Sequence, residues 1–418
     1  MEEVNDLNYY NNGFKSKWWE TSSKFDLEMD KVNFLQKKKR EKEFNMILDS
    51  IINHIKDFPK EEKDIKLWRA KGYSYIDEVI GKEGIFKLGV KNSSLKEGFF
   101  KSTKEFIRYA RAFDNSLALA DIGQAMRNLW IFNILQALFG GDMKFSKGIF
   151  GYSMLYPYTD NFLDNPSIAK IKKVEFNNKF SKRLKGEEAI PINIKEKKIF
   201  SLVEIIEDEF DRNISPKVYE SLLLIQKGQI RSLNQQEELT IPYERDILEI
   251  SIDKGGASVI VDGYLIRGDL IQDELEFCIG YGTLLQIADD LQDVKEDINN
   301  NHTTIFSQLA GKYPLDAIAN KLINFTIELL DNYNFNKGEN EKDIKELIKE
   351  NCLMLILFSI VFSKEYFSKN YIRKIESYLP FTLSYAEQIQ STMKNKFLGI
   401  NGKSNEDLMH IMDEMIKE

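Results

Sequence analysis

The run Leu284-Leu285-Gln286-Ile287-Ala288-Asp289-Asp290-Leu291-Gln292-Asp293-Val294 constrains this chain more than any other segment, because its pattern fits a helix with two unlike faces. At about 3.6 residues per turn, Gln286, Asp289, Asp290, Asp293 and Asp297 fall along one stripe, and Leu284, Ile287, Ala288, Leu291 and Val294 along another. Two carboxylates roughly 6 Å apart on such a stripe repel by about 3 kcal/mol at an effective dielectric of ~20. Solvent or a cation has to relieve that repulsion. The acidic face is therefore either an ordinary solvated surface or the wall of a cavity in which Mg²⁺ and a polyanion neutralise it. Mg²⁺ suits the second case, since it takes one or two carboxylates plus phosphate oxygens and keeps some waters. A second acidic motif is needed to separate the two.

One occurs at Tyr156-Pro157-Tyr158-Thr159-Asp160-Asn161-Phe162-Leu163-Asp164-Asn165-Pro166. Asp160 and Asp164 stand four apart and share a helix face. Asn165-Pro166 has the form of an N-cap and first helical residue, so one helix is expected to end near Asp164 and the next to begin at Pro166. Carboxylates at a helix C-terminus add to the negative end of the macrodipole, which costs stability unless a cation lies there. Asp near a helix end is also common in plain turns.

The remaining sequence reads as helical nearly throughout. Helices are expected over about 27–56, 101–115, 117–139, 145–164, 166–185, 198–212, 216–236, 243–263, 269–298, 313–333, 342–363 and 380–396. Only 8 prolines interrupt 418 residues, which favours long helices because an internal proline costs ~3 kcal/mol. Ala257 to Ile266 is rich in β-branched residues, yet its flanks are helical and no partner strand is evident, so it is read as helix. The simplest organisation is one α-helical domain over residues 101–418, preceded by a helical extension, residues 1–100, packed on it.

A net charge of −8 argues against a general nucleic-acid binder. Lys37-Lys38-Lys39-Arg40 reads as a solvated helix face. Cys278 and Cys352 lie in apolar helical surroundings without metal-ligand spacing, as buried thiols of a reducing, cytoplasmic compartment would. His54, His302 and His410 are too scattered for a zinc set. No signal pattern or membrane-length apolar run is present, and Cys352 to Phe362 is expected to be a buried helix.

Between the acidic motifs lie Gln226-Lys227-Gly228-Gln229 and Tyr243-Glu244-Arg245-Asp246-Ile247, followed by Asp253-Lys254-Gly255-Gly256. The order of an aspartate pair, Gly-Gln, Tyr-x-x-x-Ile with Lys-x-Gly, then Gln-Ile-x-Asp-Asp-x-x-Asp and a loop ending Thr303-Thr304 resembles the trans-prenyl diphosphate synthase and class I terpene synthase superfamily. The likeness covers roughly residues 155 to 310. It implies an all-α isoprenoid synthase bundle around a deep central cavity, with three Mg²⁺ ions holding a prenyl diphosphate, and it allows a homodimer. Carried over by position, Asp160 and Asp164 resemble the first metal-binding motif, and Asp289, with Asp290 and Asp293, the second. Lys254 and Gln286 are similar to residues that contact the diphosphate, and Arg183 and Arg231 are further candidates. Phe150, Tyr152 and Phe162 are expected in the substrate cavity.

Departures from the pattern select among reactions. Chain-elongating members carry an Arg-Arg pair after the first motif and an N-terminal Gly-Lys-x-x-Arg cluster for a second diphosphate, and neither is found here; His302-Thr303-Thr304 replaces their Lys-Pro-Thr. A single diphosphate site points to a terpene synthase of the bacterial prenyltransferase-like kind, a lyase that ionises an allylic diphosphate to a carbocation. Mg²⁺ would stabilise the departing diphosphate. Aromatic faces, plentiful with 28 Phe and 18 Tyr, would stabilise the cation, although any one of them also suits ordinary packing. Two alternatives stay open: a prenyltransferase condensing its substrate with isopentenyl diphosphate, and a non-catalytic helical partner that keeps the fold.

Overall fold

A computed structural model describes the backbone of residues 2–27, 29–59, 61–81, 93–163, 167–236, 241, 244–335 and 341–398, with positions 410, 411 and 414. Every regular element among them is a helix. In chain order these are α1 (Glu2–Glu20), α2 (Phe34–Lys56), α3 (Glu62–Gly81), α4 (Ser93–Phe113), α5 (Leu119–Leu138), α6 (Lys147–Leu163), α7 (Lys170–Leu184) and α8 (Ile194–Glu209). They continue with α9 (Pro216–Ser232), α10 (Ile247–Arg267), α11 (Gln272–Gln292), α12 (Val294–Asn299), α13 (Asp316–Asn332), α14 (Glu341–Phe362), α15 (Lys369–Glu376) and α16 (Leu383–Leu398). The β-branched stretch 257–266 is the second half of α10, as the helical flanks predict.

Local chemistry sets several of the ends. Asn33, Asn193 and Asp246 accept hydrogen bonds from the backbone three residues on and so cap α2, α8 and α10. Pro216 opens α9, as Ser215-Pro216 predicts. Gly268 closes α10 in the left-handed region, φ 83°, which a side chain would resist. The expected start of a helix at Pro166 is not what forms: α7 begins at Lys170, after a turn at Ser167 and Ile168, and Asp164, Asn165 and Pro166 lie outside the described residues.

α10 and α11 form the centre and are buried around nearly their whole circumference, including Ile252, Val261, Leu265, Phe277, Leu284 and Leu291. Their backbones touch. A Cβ on Gly282 would stand 2.6 Å from the carbonyl carbon of Gly255 and 3.0 Å from the Cα of Gly256. Glycine at both positions is what lets the axes approach this far. α9, α5 and α1 pack on α10; α14 and α13 pack on α11; and α6 joins α5 to α8. α1, which falls in the expected helical extension but outside the helix ranges assigned within it, seats Phe14 and Trp18 in the main core. Phe44, Ile47, Leu48 and Ile52 of α2 form a smaller cluster with Phe381 and Ile389.

Candidate functional site

Asp160 lies near the end of α6, three residues beyond Pro157, which sits inside the helix. Gln229 of α9 donates its Nε2–H to Asp160 Oδ1 at 2.6 Å. The neighbouring Gly228 rests on α10, where a Cβ would meet the Cα of Lys254 at 3.1 Å. Lys254 in turn acts electrostatically on Asp289 of α11, as does Arg127 of α5. Asp160 thus meets α9 at Gln229, one residue from where Gly228 meets Lys254 of α10, and the charge of Lys254 reaches Asp289. Asp164 lies outside the described residues.

Asp289 has exposed surface, yet surrounding protein raises its carboxyl above the ordinary carboxylate range. Burial leads this shift; Lys254 and Arg127 oppose it and Asp297 adds to it. Burial, then the charge of Asp289, lifts Asp293 to about 6. Asp290 takes a different position. It is 5% exposed and accepts hydrogen bonds from Ser251 (2.9 Å) and Gln286 (3.0 Å), and burial lifts its carboxyl to about 7. Asp290 therefore faces the α10–α11 contact, and Gln286 spends its amide on Asp290.

The polar loop after α12 closes this end. His302 Nδ1 lies 3.3 Å from Asp297, and Thr304 donates to the same carboxylate at 3.3 Å. Burial works against a charged His302, but the Asp297 bond and the fields of Asp297 and Asp290 outweigh it and raise its pKa.

The two arginines proposed from sequence have other engagements. Arg183 pairs with Glu207, which Arg212 shares, bracing α7 against α8. Arg231 pairs with Asp253 and with Glu249 (2.7 Å), and Lys15 of α1 and Asn11 join the same cluster. Arg127, unmarked in the sequence because nothing in its own segment suggests a site, is the arginine whose charge reaches Asp289.

The three aromatics separate as well. Tyr152 lines a cavity of about 20 Å³ with Tyr156, Thr159, Phe180, Leu222 and Gln229, among others. It donates to the Ser258 carbonyl at 2.9 Å, and its oxygen lies 2.9 Å from that of Tyr156. That cavity holds about one water and is far below the ~300 Å³ of an ordinary ligand pocket. Phe162 is half-buried, with its ring centroid 4.9 Å from that of Phe176 and Lys195 above it at 5.2 Å. Phe150 is fully buried among Phe106, Tyr109 and Phe113 at 4.6 to 5.6 Å, in the α4–α6 core rather than on a cavity.

Among the described residues, no three His, Cys, Asp or Glu side chains converge as a ready-made metal set. Mg²⁺ bound together with a phosphate needs less, one or two carboxylates with water and phosphate oxygens completing its shell. Asp289 and Asp293, one turn apart, are both raised by burial, Asp293 also by the charge of Asp289; they are hard oxygen donors whose repulsion a dication would relieve, so the donor chemistry fits. No family model matches the chain, and neither a characterised protein nor a solved structure matches it.

Proposed function

We propose that the protein is a Mg²⁺-dependent terpene synthase that ionises an allylic prenyl diphosphate and releases diphosphate. What supports this reading is the run of neighbours from Asp160 through Gln229 and Gly228 to Lys254, whose charge, with that of Arg127, acts on Asp289. Carboxylates and basic groups side by side suit a metal–diphosphate head group, which offers both signs of charge. Asp289 with Asp293 on one side, and Asp160 on the other, would each share Mg²⁺ with phosphate oxygens, and the metal when bound would supply Lewis-acid stabilisation of the leaving group.

The chain's own residues account for the rest. Lys254 and Arg127 place fixed positive charge where negative charge grows on the departing oxygens, and such preorganised charge is worth more in the transition state than before it. Gln229 holds Asp160 in orientation. Tyr152, Tyr156 and Phe180 offer aromatic surface next to the head-group site. A prenyl chain requires the cavity they line to widen.

Purified protein incubated with Mg²⁺ and prenyl diphosphates of several lengths, with and without isopentenyl diphosphate, tests the reading by gas chromatography and mass spectrometry. The expected result is a hydrocarbon or alcohol from a single allylic substrate. Asp160→Ala and Asp289→Asn should abolish it while melting temperatures hold, and Lys254→Ala or Arg127→Ala should weaken substrate binding. Products that lengthen only with isopentenyl diphosphate would make the protein a chain-elongating prenyltransferase, and no turnover of any substrate would leave the non-catalytic alternative.

A further inference from the structure

Residues 170–198 carry ten Lys or Arg against four Glu, a net charge of +6 within a chain whose total is −8. Part of that charge is used internally. Lys179 pairs with Glu196 at 2.8 Å, Arg183 with Glu207, and Lys198 with Asp114. Lys172, Lys182, Lys185 and Lys197 are exposed and have no carboxylate partner among the described residues.

Large apolar side chains stand among these lysines. Ile171 is 69% exposed and Val174 46% on α7, while Ile190, Ile192 and Ile194 are 71%, 76% and 76% exposed where the chain enters α8. Asn193 is extended (φ −152°, ψ 171°), so Ile192 and Ile194 project to the same side. The Lys179–Glu196 pair holds α7 against the start of α8. The contacts of Phe162 with Phe176 and Lys195 place this face beside the end of α6, two residues past Asp160.

A face built only to stay in water needs the lysines but not five exposed β-branched side chains. An anionic lipid surface uses both: its head groups attract the lysines, and the boundary with the acyl chains takes up the apolar groups. The rest of the chain carries −14, so an anionic surface repels it and draws this face forward. No described helix is long and apolar enough to cross a membrane, so such contact would be peripheral. We propose that α7 and the segment leading into α8 form a docking face for an anionic lipid bilayer.

Flotation of the full chain with phosphatidylcholine vesicles, and with vesicles containing phosphatidylglycerol as well, tests this directly. Binding is expected only with phosphatidylglycerol and should weaken as salt shortens the screening length. Ile192→Asp with Ile194→Asp, and separately Lys172→Glu with Lys182→Glu and Lys185→Glu, should each lower partitioning by about tenfold or more. Their melting temperatures should stay unchanged, and Lys39→Glu on α2 should leave partitioning as it is. Absence of binding, equal binding to both vesicles, or indifference to both sets of substitutions would overturn the proposal. So would sedimentation showing a dimer that the isoleucine substitutions dissolve in the absence of vesicle binding, which would assign the face to a second copy of the chain. Binding is read without turnover, so the outcome is independent of the proposed reaction.

Discussion

Gly282→Ala tests the claim that backbone contact between α10 and α11 builds the site. The new methyl carbon would lie 2.6 Å from a carbonyl carbon and 3.0 Å from a Cα of α10, where carbon atoms ordinarily keep roughly 3.5 Å or more. Backbone cannot rotate aside as a side chain does, so the helices must part by about 1 Å. Overpacking of this kind costs up to about 3 kcal/mol. Separation also weakens the Ser251–Asp290 bond at a buried carboxylate, about 1 kcal/mol or more. Alanine returns about 1 kcal/mol in helix propensity. The net loss is about 3 kcal/mol. With an unfolding entropy of about 2.1 cal/mol/K per residue, roughly 0.9 kcal/mol/K for this length, scanning calorimetry should show a melting temperature lower by about 3 °C. Gly123→Ala on α5, where a Cβ meets nothing within 4 Å, is the control and should melt about 1 °C above the native protein. A Gly282→Ala protein that melts at or above the native temperature would refute the reasoning.

Two further expectations concern pH. Asp262 is fully buried, with Asn128 donating to one oxygen at 2.8 Å, and burial pushes its carboxyl well above the usual range. The folded protein therefore keeps a proton that the unfolded chain releases above about pH 4, and stability falls as pH rises from there. Asp262→Asn should consequently gain stability relative to the native protein between pH 4 and 8 in denaturant titrations, and a constant difference would count against it. Asp114 behaves oppositely. Burial works against its charge, but Lys198, Ser116 and Tyr158 hold it well below the usual range. Its contribution is present above about pH 4 and lost as pH falls further, so Asp114→Asn should melt lower than native protein at pH 7 and approach it near pH 3.

The acidic stripe of α11 was legible because helix periodicity is a local property, and Ile287, Ala288 and Leu291 are buried as the pattern requires. The division of labour along the stripe was not legible. Which of Asp289 and Asp290 turns into the α10–α11 contact depends on Ser251, which lies 39 residues earlier on another helix. Arg183 and Arg231 illustrate the same limit: sequence order gives a basic residue near a motif, but Glu207, Asp253 and Glu249 decide where its charge is spent. The bounds of α1 within the helical extension are hard to place because its Asn-rich composition is a poor helix former, although Tyr10, Phe14 and Trp18 recur at the spacing of one face. α15, at 8 residues, is short for a periodicity reading. The packing of Phe150 on α4 is not legible either, because an aromatic near a motif carries no sign of which side of its helix meets α4.

Pro157 gives α6 a joint. Having no N–H, it leaves the Ser153 carbonyl without its helical donor, so the backbone ladder is interrupted just before Asp160. Side chains brace the turn beyond it: Thr159 Oγ1 donates to the Leu155 carbonyl at 2.7 Å, and the amide of Gln229 reaches Asp160 from α9. The direction of the acidic tip is therefore set by α9 as well as by its own helix.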